Sequence, residues 1–119
     1  EIGDLHQVII TSRDPEMPPR SYYETAGGLL RDMTIHDFDL ARFMLRDDPV
    51  EVFAVGGCLI DPAMMTDLKD LDTAMIIMQT EDGKQCHITA LCRSGAQYGL
   101  KGYSVSWMGS CLSSDTIST

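Results

Sequence analysis

Apolar and polar positions alternate over short stretches of this chain, and one longer stretch follows a different period. Residues 5–13 read as a strand centred on Val8, Ile9 and Ile10. Pro15, Pro18 and Pro19 then predict an extended connection, because proline fixes φ and carries no donor. That connection continues over residues 21–25 and carries Tyr22 and Tyr23. A helix is expected from about Gly28 to about Arg46, with Leu29, Met33, Leu40 and Met44 on one side. Arg31, Ile35, Arg42 and Arg46 fall roughly opposite, and Asp47-Asp48-Pro49 ends the helix.

Beyond Pro49 the period drops to two. Residues 50–58 are rich in valine, and Gly56-Gly57 marks a bulge or a close approach. A polar loop over residues 61–70, with room for one helical turn, leads to a strand over residues 72–80. Glu81-Asp82-Gly83-Lys84 is a hairpin turn, and residues 85–94 form the returning strand. A glycine-containing loop over residues 95–102 precedes a last strand over residues 103–108. Residues 110–119 are small and polar and read as a loose tail.

Strand, helix and then four strands predict one α+β domain over residues 1–119. The expectation is a mostly antiparallel open sheet of about five strands with one main helix packed on one face. One helix cannot cover both faces. Met75, Ile77 and Phe53 would line the uncovered side, which predicts a homo-oligomer formed through the sheet. The plainer alternative is a second face polar enough to stand in water.

Composition narrows the classes. The 119 residues carry 18 acidic and 9 basic side chains, a net charge of −9, which disfavours a phosphate-backbone partner and argues against nucleic acid. No apolar run approaches the ~20 residues of a membrane span, and Glu1 and Asp4 stand where a signal peptide would be basic. Cys58, Cys86, Cys92 and Cys111 match no zinc spacing, so no metal site is expected. Alternation would also send His87 away from Cys86 and Cys92. Reduced thiols suit a cytoplasmic protein.

The candidate chemistry lies in Gly27-Gly28-Leu29-Leu30-Arg31-Asp32-Met33-Thr34-Ile35-His36-Asp37-Phe38-Asp39. Asp32 and His36 stand at i and i+4, one above the other on a regular helix. A carboxylate there can hold one imidazole nitrogen and leave the other free to move a proton. The bland reading is a helix-stabilising pair worth about 0.2–0.5 kcal/mol.

This stretch resembles the signature helix of inositol 2-dehydrogenases, within the glucose-fructose oxidoreductase-like family. Ser12-Arg13-Asp14-Pro15, Pro49-Val50-Glu51-Val52-Phe53-Ala54, Asp70-Leu71-Asp72-Thr73-Ala74, Cys92-Arg93 and Tyr98-Gly99 are similar to other family segments, in the right order. The resemblance spans nearly all of residues 1–109. It implies His36 as acid/base on the reacting hydroxyl and Asp32 as the group that orients it, while hydride leaves the same carbon for NAD. It implies Tyr98, Asp14 and Arg13 as substrate-binding candidates. Tyr98 reads equally as a loop tyrosine, and Arg13 with Asp14 as an exposed turn pair. Leu100-Lys101-Gly102 follow Tyr98-Gly99 where the family often has Tyr-Asp.

Two family features are absent from the sequence: a Gly-x-Gly-x-x-Gly turn for the pyrophosphate and the Glu-Lys-Pro stretch with its catalytic lysine. The expectation is therefore the C-terminal, substrate-side domain of a longer NAD-dependent inositol or polyol dehydrogenase, inactive alone, with NAD bound mainly elsewhere. The alternative is a non-catalytic binding or oligomerisation module that keeps the family fold.

Overall fold

Alternation decides the sheet. Leu5–Arg13 form β1, and Val8, Ile10 and Ser12 are buried while Gln7, Ile9, Thr11 and Arg13 take the other side. The computed structural model describes residues 3–13, 19–91, 102–109 and 114–118. The remaining strands are β2 (Pro49–Gly57), β3 (Thr73–Thr80), β4 (Gln85–Leu91), β5 (Gly102–Gly109) and β6 (Ser114–Ser118). The helices are α1 (Arg20–Ala26), α2 (Ile35–Leu45) and α3 (Ala63–Asp67), and a π-helical turn over Leu30–Thr34 leads into α2.

The result is an α+β domain with an open, mixed sheet in the order β2-β3-β4-β1-β5-β6. One sequence expectation changes here. The sheet has six strands, because Ser114–Ser118, within the stretch expected to be a loose tail, pair antiparallel with β5. The sheet is mostly antiparallel, as expected, with one parallel pair, β1 and β4. The chain leaves β1, crosses one face through the helices, and enters the sheet again at the edge strand β2. Two antiparallel steps, β2 to β3 and β3 to β4, then bring β4 alongside β1 in the same sense.

Register builds the core as rows across three strands. Val8, Cys86 and Met78 form one row; Ile10, Ile88 and Ile76 form the next. Ala41 and Leu45 of α2 cover these rows, with Phe38, Leu40 and Met44 packed around them. Each fully buried isoleucine contributes about 1.5–3 kcal/mol by leaving water. A third row, Ser12, Ala90 and Ala74, is small. Leu29 packs over Ala90 and Ala74 with Tyr23, Met33 and Leu71 as a second cluster.

The helical layer differs from a single regular helix. Residues 20–26 form α1, where the sequence predicts a continuing loop over residues 21–25; the helix begins directly after Pro19 and ends at Gly27 with φ 89°. A proline before the first turn and a left-handed glycine after the last are ordinary helix boundaries. The π turn then shifts the phase of α2. Thr34, Asp37, Ala41 and Leu45 carry the buried stripe, while Met33, Leu40 and Met44 are only partly covered. The Lys84 Nζ donates to the Leu45 carbonyl at 3.1 Å and caps the negative end of α2 from the β3–β4 turn.

The other sheet face is uncovered by any described element. Ile9, Phe53, Val55, Met75 and Ile77 are exposed there, with Phe53 at 65%. No helix among the described residues is long and apolar enough to cross a membrane.

Candidate active site

The double glycine positions the candidate site. Gly27 and Gly28 have φ of 89° and 90°, a region that L side chains rarely adopt, and together they turn the chain sharply between α1 and the π turn. A Cβ on Gly28 would stand 2.9 Å from Asp70 Oδ1. That oxygen accepts the Leu29 N–H at 3.1 Å and the Leu71 N–H at 2.7 Å, so one carboxylate satisfies a donor at the start of the helical segment and ties it to the loop before β3.

Asp32 sits in the π turn and His36 in the first turn of α2. Thr34 donates its hydroxyl to the Leu29 carbonyl five residues back, the spacing of this wider turn. A π turn holds more residues than an α turn, so four residues fall short of full stacking. Asp32 is half-buried and His36 exposed. Asp32 Oδ1 accepts the Tyr22 hydroxyl at 2.7 Å, and no hydrogen bond joins Asp32 to His36 among the described residues. His36 lines an open depression of about 580 Å³ with Asp39, Leu40, Arg42 and Phe43.

The acids beside the histidine separate. Asp39 is exposed at the depression, whereas Asp37 is fully buried. Burial pushes the Cys86 thiol up to about 12, and the Asp37 charge adds to that push. Burial likewise raises the Cys58 thiol. Neither cysteine is therefore a thiolate nucleophile at neutral pH.

The other substrate-binding candidates are not gathered with His36. Arg13 ends β1 on the side of Gln7, Ile9 and Thr11, opposite the helical layer that carries His36. Asp14 and Tyr98 lie outside the described residues, as do Cys92 and Arg93. Tyr22 joins the candidate site instead. Its segment reads as a loop because the prolines before it are strong breakers, yet the seven residues between Pro19 and Gly27 contain none. No described element forms a strand–glycine turn–helix cradle, since the glycine pair joins two helical segments. The described residues therefore do not fit a dinucleotide's pyrophosphate.

Residues 1–109 match the GFO/IDH/MocA C-terminal domain, and the chain belongs to that family. It is 50% identical over 98 residues to the inositol 2-dehydrogenase of Rhizobium meliloti (strain 1021), a match covering 82% of this chain and 29% of that relative. The chain thus spans less than a third of the length of that relative. Among solved structures it is similar to a myo-inositol dehydrogenase from Corynebacterium glutamicum, with a TM-score of 0.86, 32% identity, and coverage of 98% of this chain and 33% of that one. It is also similar to the scyllo-inositol dehydrogenase from Lactobacillus casei solved with bound NAD(H) and scyllo-inositol. There the TM-score is 0.79 at 26% identity, covering 98% of this chain and 34% of that one.

Proposed function

We propose that this chain is the substrate-side catalytic domain of an NAD-dependent inositol 2-dehydrogenase that oxidises a ring hydroxyl of myo-inositol or a related polyol or sugar to a ketone. The observation that carries this reading is the outward presentation of His36 at an open depression, one helical turn from a carboxylate that is itself held in place. In this role His36 accepts the proton of the reacting hydroxyl. Asp32 orients the imidazole and stabilises its protonated form through a hydrogen bond made once substrate is bound. NAD is bound mainly outside this chain, and its redox chemistry is not contributed by these residues. Arg13, Asp14 and Tyr98 stand as proposed contacts to the polyol. Two free thiols, Cys58 and Cys86, suit a reducing cytoplasmic setting. The open sheet face serves self-association.

The test is His36→Ala in the full-length polypeptide that carries this chain. The expected result is a fall in turnover of about 10²–10⁴-fold with NAD affinity unchanged. Unaltered turnover would leave a binding or oligomerisation module as the better description. The 119-residue chain by itself is expected to turn over no polyol.

A further inference from the structure

We propose that Tyr22 is a positioning residue for Asp32, a role that rests on the proposed proton transfer at His36. The Tyr22 hydroxyl donates to Asp32 Oδ1 at 2.7 Å, the short range of hydrogen bonds to a charged acceptor. The two residues are ten apart in sequence and belong to different helical segments, so the contact is made by the fold. The left-handed Gly27 and Gly28 turn the chain between α1 and the π turn, and that arrangement brings the phenol to the carboxylate.

The donor is braced from beneath. The Tyr22 and Tyr23 rings meet edge to face with centroids 6.2 Å apart. Tyr23 is packed against the buried cluster of Leu29, Ala74 and Ala90, and so rests on β3 and β4. At the start of α1, Arg20 pairs with Asp67 of α3 at 2.9 Å. The phenol is thus referred to the sheet through packed groups, while Asp32 sits in the π turn. Holding Oδ1 restrains the carboxylate and leaves Oδ2 for the imidazole. Tyr22 itself is 43% exposed, which leaves room for a second role as a direct polyol contact. The two roles differ kinetically. A positioning group acts on kcat through Asp32, whereas a ground-state contact acts on KM.

The experiment uses the full-length polypeptide with NAD and myo-inositol, comparing Tyr22→Phe, Asp32→Asn, the double variant and His36→Ala. Tyr22→Phe keeps the ring packing, so its fold is preserved. The expected result is a kcat about ten-fold lower with KM unchanged. The double variant is expected to be no slower than Asp32→Asn alone, because Tyr22 has nothing left to position. A rise in KM at full kcat, or additive losses in the double variant, would overturn the positioning role. Unchanged kcat in Tyr22→Phe beside a collapse in His36→Ala would sink this inference and leave the catalytic reading standing. Full activity in His36→Ala would remove both.

Discussion

Cys86 illustrates how one buried residue couples to pH. Its side chain lies in the row between Val8 and Met78, and burial raises its thiol to about 12 from an ordinary 9.0. The folded state therefore holds the thiol proton more tightly than the unfolded state. Its contribution to stability is complete below pH 9.0 and is lost as pH rises towards about 12. Urea unfolding at stepped alkaline pH is expected to show this decline, and Cys86→Ala should flatten it relative to its own neutral value. Rapid labelling of the native Cys86 by a thiol reagent at about pH 8 would contradict the burial argument. At the same scale, the glycine pair was legible as a helix opening. The reason for both glycines was not, because positive φ and the approach of Asp70 are set by a loop about forty residues away in sequence.

At the level of elements, the segment between β2 and β3 is organised by one carboxylate. Asp72 is fully buried and accepts the N–H groups of Leu59, Ile60 and Asp61 at 3.0, 3.0 and 2.7 Å, together with the Thr73 hydroxyl at 2.7 Å. Gly56 admits Leu71 so closely that a Cβ would meet its Cδ1 at 2.7 Å, which explains the glycine as a close approach. Asp72→Ala would strand three backbone donors at once. A loss of about 2–4 kcal/mol is expected in chemical unfolding, with faster hydrogen exchange at Leu59, Ile60 and Asp61. Exchange unaltered at those three amides would show that Asp72 does not hold the loop. In the sequence Asp72 is one acid among many, since nothing local distinguishes a carboxylate that clamps a loop twelve residues away. The helical segments were half legible. The existence of a long helix came from its period, but the π turn that rotates its buried stripe leaves no signature in the spacing of apolar residues.

For the whole molecule the uncovered sheet face is the feature with consequences. Ile9, His87, Ile77 and Phe53 lie in one row across four strands, and Thr11, Thr89, Met75 and Val55 in the next. Burying such a face against a second copy is the proposed reason that it stays apolar. Ile77→Lys is expected to dissociate the assembly in sedimentation velocity while leaving the fold intact, because Ile77 is already 52% exposed within one chain. A monodisperse monomer of the unaltered protein would end that proposal. The expectation of an open α+β sheet with an apolar face came from periodicity and from the shortage of helices.

What the amino-acid sequence determined by itself is local: the alternation of β1, β3 and β4, the β3–β4 turn at Gly83 and the helical period from residue 35 onward. These features come from backbone geometry, where a period of two or about 3.6 is written directly into neighbouring side chains. Tertiary structure alone decided that β1 lies between β4 and β5, that Arg13 and His36 occupy opposite sides of the sheet, and that Tyr22 reaches Asp32. Each depends on contacts between distant segments, whose free energy comes from shared burial and from satisfying particular donors rather than from any propensity of the residues next to them.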